Sequence, residues 1–149
     1  MDNELKLENF LPYRLAVLSN TVSATVARAY DKRFSVSIPE WRVIAVLGRF
    51  PGLSAVEVAG RTLMDKVAVS RAVTKLIKNG RIEREFADAD KRRSILNLSE
   101  AGKKLHDEIA TLALDFERDL LQGFSQEEID SLNGIMERLL ARASLIGSP

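Results

Sequence analysis

The chain has 149 residues, of which 46% are hydrophobic and 29% charged, with a net charge of +1. This composition is typical of a folded globular domain and excludes a disordered one. The absence of cysteine excludes disulfides, thiolate metal sites and cysteine nucleophiles or redox sensors. The N-terminus is acidic and polar, and no apolar run reaches the roughly 18 residues of a membrane span, so a cytoplasmic protein without membrane contact is expected.

The charge is unevenly distributed along the chain. Residues 61–104 contain 12 Lys and Arg against 6 Asp and Glu, a net charge of +6, whereas residues 105–149 have a net charge of −6. A localised basic field favours polyanions, and nucleic acid first among them. The middle of the chain is therefore the predicted contact region, and the acidic C-terminal part is predicted to lie elsewhere.

Apolar periodicity predicts two helices in the first third of the chain, over residues 8–34 and 38–49. Pro12 and Pro39 can each occupy a first helical turn, and Phe50–Gly52, "FPG", ends the second helix. The first helix is long for this chain, and its apolar stripe recurs at three- and four-residue steps. The stripe consists of Leu11, Leu15, Leu18, Val22, Val26 and Ala29.

A short helix, a turn and a second helix follow. Ser54 and Glu57 have the spacing of a capping box, so a helix is predicted from Ser54 to about Arg61. Asp65 is a plausible N-cap for a helix over 66–79, and Gly80 can end it in a left-handed conformation. Val69, Val73 and Leu76 fall on one face of this helix, and its other sides carry Lys66, Ser70, Arg71, Thr74, Lys75 and Lys78.

The spacing between apolar residues then changes from about four residues to two. Residues 81–86 and 94–99 alternate in polarity and predict a β-hairpin, whose charged tip is "FADADKRR", residues 86–93. Two more amphipathic helices are predicted, one after Ser99 to about residue 122 and one from Ser125, which again has a capping-box glutamate, Glu128. The predicted fold class is mainly α with a small β-hairpin wing.

A helix-turn-helix followed by a hairpin is a winged helix, in which the second helix enters the DNA major groove. There Arg71 can pair with guanine, and its neighbours can contact phosphates or bases. A hairpin tip can reach the minor groove, where negative potential attracts arginine; Arg92 is predicted to insert, braced by Asp90. The predicted DNA-binding residues are Lys66, Ser70, Arg71, Thr74, Lys75, Asp90, Lys91, Arg92 and Arg93.

The joint pattern resembles the MarR family of bacterial transcription regulators. Its elements are "VSR" (69–71), "L-x-x-x-G-x-I-x-R" (76–84), "D-x-R" (90–92) and "L-S-x-A-G" (98–102), with "IPEWRVIAVL" (38–47) resembling the family's second helix. The resemblance implies one domain over 1–149, with a winged helix-turn-helix over 38–99 and dimerisation helices over 8–34 and 100–146. It also implies a homodimer that binds a near-palindromic operator as a ligand-responsive repressor.

The resemblance further implies an effector, since family members often bind phenolic or other aromatic acids between the dimer region and the winged helix. Tyr13, Arg14 and Trp41 could supply an aromatic wall and an anion contact; a core position is the simpler role for Trp41. Val67 and Ala68 depart from the family, which often has small hydroxyl residues there. Either apolar side chain could contact a thymine methyl group instead.

Two other classes of function are weaker alternatives. A winged-helix module whose basic face binds an acidic protein would share the fold without specific DNA binding. An enzyme is not expected, because the sequence has no nucleophile–base pair and no phosphate-binding loop. A metal site is not expected either, since His106 is the single histidine and there is no cysteine.

Overall fold

The computed structural model describes residues 3–87 and 90–147, and only the backbone of residues 87 and 90–93. A 3₁₀ turn, Leu7–Asn9, precedes the first helix. The α-helices are α1 (Leu11–Phe34), α2 (Ile38–Arg49), α3 (Ala55–Thr62), α4 (Lys66–Lys78), α5 (Glu100–Leu120) and α6 (Gln126–Ile146); the strands are β1 (Ile82–Ala87) and β2 (Asp90–Leu98). The predicted fold class is thereby confirmed.

Local capping fixes the helix starts. Ser37, Ser54 and Ser125 cap α2, α3 and α6, and the last two form the complete capping boxes that the sequence predicts. Asp65 caps α4 by accepting a hydrogen bond from the Ala68 amide at 2.9 Å. Each cap satisfies an amide that has no partner within its own helix, so these boundaries follow from short stretches of sequence.

Helix α1 begins at Leu11, three residues later than predicted. The preceding residue, Phe10, has extended backbone angles, and Pro12 fits the first turn because a proline there loses no helical hydrogen bond. The helix ends at Phe34 and is capped by Ser35, which has a left-handed conformation with φ of 54°.

The chain divides within α5 into two compact units, Met1–Ala113 and Leu114–Pro149. The core lies in the first unit, where α2, α3, α4 and the hairpin bury their apolar faces together with the end of α1 and the start of α5. Its fully buried members include Val36, Val43, Ile44, Leu47, Val58, Val73, Leu76, Leu96 and Ile109. The second unit contains the end of α5 and all of α6, and α6 has no buried residue.

Strands β1 and β2 form an antiparallel pair in which Ile82 lies opposite Leu98 and Phe86 opposite Ser94. Beyond Phe86 the register shifts, because Ala87 pairs with Asp90. Residues 91–93 of β2 therefore lie between these two pairs, whereas no residue of β1 lies between them. Strand β2 begins four residues earlier than the sequence predicts, so these cations lie in an irregular strand end and not in a turn.

Candidate nucleic-acid interface

Helices α3 and α4 and the turn between them form the helix-turn-helix. The turn passes through Leu63, which has a left-handed conformation with φ of 55°, and the Thr62 hydroxyl donates back to the Val58 carbonyl at 2.9 Å. Val69, Ala72, Val73 and Leu76 bury the inner face of α4. The packing therefore leaves the opposite face of α4 in solvent.

That outer face contains every helix residue predicted to bind DNA. Lys66, Ser70, Arg71, Thr74 and Lys75 are all exposed. Residues four apart on a helix are neighbours, so Lys66 adjoins Ser70, and Arg71 adjoins Lys75. The Thr74 hydroxyl donates to the Ser70 carbonyl at 2.9 Å, which leaves its oxygen lone pairs available as acceptors.

Lys75 differs from the other cations of α4. Its Nζ lies 3.3 Å from Oε1 of Glu40 on α2, and the Glu40 side chain is only 3% exposed whereas that of Lys75 is 58% exposed. The Ser37 hydroxyl donates to the same oxygen at 2.9 Å. The structure thus brings Lys75 to the predicted face but pairs it with a buried carboxylate.

The wing is fixed to the helix-turn-helix at its base. Gly80 has a φ of 74°, and its carbonyl accepts a hydrogen bond from the Ser99 hydroxyl at 2.6 Å. Ser99 in turn accepts from the Gly102 amide at 3.0 Å, and a Cβ on Gly102 would collide with the Arg81 carbonyl. The end of α4, the start of β1 and the start of α5 are therefore tied together.

A third segment extends the hairpin at its base. Leu53 forms an antiparallel bridge with Leu96, in which the Leu96 amide donates to the Leu53 carbonyl at 2.9 Å and the Gly52 amide donates to the Leu96 carbonyl at 3.0 Å. This bridge connects the segment before α3 to the middle of β2. The wing is therefore hydrogen-bonded to the segment that leads into the helix-turn-helix.

The predicted wing contacts are Asp90, Lys91, Arg92 and Arg93. Their backbone lies in β2, and their side chains lie outside the part of the chain that the structure describes. Insertion of Arg92 and its bracing by Asp90 stay predictions. On the described part of the wing, Arg84 and Phe86 are exposed on β1 and add a cation and an aromatic ring to this surface.

The three residues predicted to bind an effector do not form one site within a single chain. Trp41 is half-buried and contacts the rings of Tyr30 and His106, with centroids 6.0 and 5.9 Å away. Tyr13 and Arg14 are exposed near the start of α1, and Tyr13 precedes Tyr30 by about 17 residues, which is roughly 25 Å along a helix. Burial raises the pKa of Tyr30 above its ordinary value.

Other kinds of site find no support in the described part of the chain. It contains no cluster of His, Asp and Glu that could hold a metal ion. His106 lies 3.1 Å from Asp107 through Nδ1 and packs on Gly48, where any Cβ would approach the ring to 2.5 Å. Within residues 3–87 and 90–147, no helix combines the length and apolar character needed to cross a membrane.

Glu40 was not singled out in the sequence analysis, although its position in the apolar stripe of α2 indicates a buried polar contact. Glu40 lies in phase with Val43, Ile44 and Leu47, which form the buried face of α2. A carboxylate within an apolar stripe must find a polar partner on another element, because an unpaired buried charge is unstable. The stripe thus indicates that Glu40 has a partner, while the tertiary packing decides that the partner is Lys75.

The fold and this surface define a winged helix-turn-helix protein, and comparisons with known proteins identify its family. The model of the MarR family matches residues 34–93. The HTH-type transcriptional regulator BilQ of Clostridium symbiosum is 30% identical over 96 residues, which cover 64% of this chain and 67% of that protein.

Solved structures also share the fold. The crystal structure of a MarR/EmrR family transcriptional regulator from Acinetobacter sp. ADP1 is 28% identical, with a TM-score of 0.86 over 95% of this chain and 99% of that one. The chain in the crystal structure of the S. aureus MepR–DNA complex is 18% identical, with a TM-score of 0.83 over 90% of this chain and 98% of that one.

The chain belongs to the MarR family of transcriptional regulators. The resemblance read from the sequence is thereby confirmed. Because the family consists of regulators and not of enzymes, the expectation that this chain is not an enzyme is confirmed as well.

Proposed function

We propose that this regulator binds double-stranded DNA sequence-specifically, with α4 in the major groove and the wing beside it. The exposed polar face of α4, opposite four buried apolar residues, is the observation that carries the proposal. A helix with this geometry fits the major groove, which is about 12 Å wide. MepR, whose fold this chain shares, has been crystallised in complex with DNA, which supports DNA as the partner.

We further propose that the protein acts as a homodimer. In the first unit, α1 leaves Leu11, Leu15 and Leu18 exposed; in the second unit, α6 leaves Leu132, Ile135, Met136 and Leu140 exposed. Exposed apolar surfaces of this kind mark a contact with a partner. The predicted role of residues 8–34 and 100–146 in dimerisation depends on these exposed surfaces. A dimer with two-fold symmetry would bind a near-palindromic operator.

The proposed regulatory effect is repression relieved by an aromatic or phenolic acid. A dimer bound over a promoter excludes RNA polymerase, and an effector that favours another arrangement of the dimer releases it. Trp41, between the rings of Tyr30 and His106, is the proposed aromatic contact. A role for Tyr13 and Arg14 in effector binding stays a prediction, and it depends on how the dimer is arranged. The DNA target implies a cytoplasmic site of action.

The test of DNA binding is selection from a library of random duplexes, followed by affinity measurements at several salt concentrations. Two helices and two wings that each contact at least one phosphate predict a slope of log K against log salt of about −4 or steeper. Enrichment of a near-palindromic sequence would support the proposal, provided that binding to it persists in the presence of excess nonspecific duplex. A selection that enriches no sequence, with weak binding even at about 50 mM salt, would contradict it and favour the protein-interaction alternative.

A further inference from the structure

The buried carboxylate of Glu40 lies beneath the helix proposed to bind DNA. Both contacts of this side chain are made through Oε1, to the Ser37 hydroxyl at 2.9 Å and to Nζ of Lys75 at 3.3 Å. Its other oxygen, Oε2, is buried and has no hydrogen-bond partner among the described residues. The carboxylate therefore has little stabilisation beyond Lys75 and one hydroxyl.

This arrangement prevents Lys75 from leaving Glu40 for DNA. Only the Glu40 side of the pair is buried, and an ionised carboxylate removed from water is stable only when it is paired, so departure of Lys75 would leave that charge uncompensated. A contact between a lysine and a phosphate at the DNA surface is solvated and weakened by salt, so it gains less. Lys75 is thus expected to keep its contact with Glu40 in the DNA complex.

The pair also fixes how α4 is oriented on α2. The buried residues of α4 are all apolar, namely Val69, Ala72, Val73 and Leu76, and the hydrophobic effect is non-directional. An ion pair has a defined geometry and resists rotation of the helix about its axis. Arg71, one turn before Lys75 on the same side, takes its direction from that constraint.

We propose that Glu40 is a positioning residue for DNA recognition, which acts through Lys75 to orient Arg71 and the rest of the outer face of α4. Lys75, predicted from the sequence to contact DNA, then belongs to the support of the helix and contributes no phosphate contact. This inference rests on the proposed DNA-binding function. It predicts that loss of the pair damages the discrimination between sequences more than the general attraction to DNA.

The test compares variants of the full-length protein in binding to the duplex selected by the wild type and to a scrambled duplex of equal length. Lys75→Gln and Glu40→Gln should each lower the ratio of specific to nonspecific affinity by about tenfold. Lys75→Gln should leave the salt slope unchanged, because the inference gives Lys75 no phosphate contact. Lys66→Gln, an exposed lysine of the same helix, is the matched control and should make the slope shallower by about 2, or about 1 for each subunit of the dimer.

Two further variants separate positioning from a loss of folding. Lys75→Arg can still reach Glu40 and should restore most of the discrimination. The double variant Glu40→Gln/Lys75→Gln should be no worse than either single variant, because the two residues act as one unit. If Glu40→Gln fails to fold, Lys75→Gln and Lys75→Arg carry the comparison alone.

A shallower slope in Lys75→Gln, equal to that of Lys66→Gln, would overturn the inference and make Lys75 a phosphate contact. Equal losses of specific and nonspecific affinity would overturn it too, since they indicate general damage. Either result with a sequence-selective wild type would leave the proposed function intact. A wild type that shows no preference between the duplexes would instead overturn both.

Discussion

Helices α4 and α6 are both amphipathic, but α4 buries its apolar face within the described chain and α6 does not. Helix α4 buries four apolar residues within its own chain and exposes its polar side. Helix α6 buries none, and Leu132, Ile135 and Leu140 are among its exposed residues. The comparison shows how two helices with similar patterns can serve different partners.

The difference has a physical cause in what each exposed face does in water. Exposed apolar surface is unfavourable by about 25 cal/mol per Å², so burial of the apolar face of α6 against a lasting partner would be stabilising. An exposed polar face is stable in water and is available for a partner that comes and goes. The proposed second copy of the chain and the proposed DNA correspond to these two requirements.

The largest expected effect is the loss of the dimer. Leu132→Glu places a charge on a residue that is 46% exposed in the single chain and buried in the proposed dimer, where an unpaired charge is strongly disfavoured. We expect monomers in sedimentation and a loss of operator affinity of about a hundredfold or more, because each monomer engages only one half-site. Ala141→Glu, on the opposite side of α6, is the matched control and should leave both unchanged. A dimeric Leu132→Glu protein would show that α6 is not the contact.

The wing gives the next effect in size. Arg92→Ala removes the side chain predicted to enter the minor groove. A narrow minor groove has a strongly negative electrostatic potential, which attracts arginine. We expect operator affinity to fall by about tenfold to a hundredfold, with the thermal unfolding midpoint unchanged. Glu83→Ala, an exposed position on β1, controls for a general effect on the wing. Affinity close to that of the wild type in Arg92→Ala would contradict the assigned role.

Arg71 sharpens the contrast between attraction and recognition on α4. Arg71→Ala should relax base preference at one position in each half-site by about 1–3 kcal/mol. The measurement is affinity for operators that carry each of the four bases at that position. Arg71→Lys preserves the charge but not the bidentate geometry, so it should lose the preference while retaining the salt slope. Preference unchanged in both variants would exclude Arg71 as a base contact.

The smallest expected effect concerns Val67, which is 59% exposed in the first turn of α4. A thymine methyl group in contact with Val67 would add about 0.8 kcal/mol, or roughly fourfold, per half-site. Replacement of thymine by uracil, which lacks that methyl, should lower wild-type affinity by this factor. Val67→Ala should reduce the difference between the two bases. Equal affinity of the wild-type protein for both duplexes would show that Val67 touches no thymine.

Much of the fold could be predicted from the sequence because its determinants are local. The caps at Ser54, Asp65 and Ser125 and the periodicity of α4 lie within a few residues of the elements that they define. The bridge from Leu53 to Leu96 could not be predicted in this way, since it joins segments more than 40 residues apart.

The candidate site was predictable to the same extent. The exposure of Arg71 follows from helical spacing, because the apolar residues of α4 recur on the opposite side of the helix. The pairing of Lys75 with Glu40 depends on how α4 crosses α2, which periodicity does not specify. Likewise, the separation of Tyr13 from Trp41 within one chain depends on the length of α1 and not on residue type.

In the proposed complex, two subunits place two recognition helices on one duplex at a fixed distance. The most direct test of this arrangement is operator affinity as a function of half-site spacing, with the stoichiometry of each complex measured by sedimentation. The account predicts two chains per duplex and tight binding at a centre-to-centre distance of about 10 base pairs or a multiple of it. Insertion of about 5 base pairs should abolish that binding, because it turns the half-sites to opposite faces. Equal affinity at every spacing, or one chain per duplex, would contradict the account.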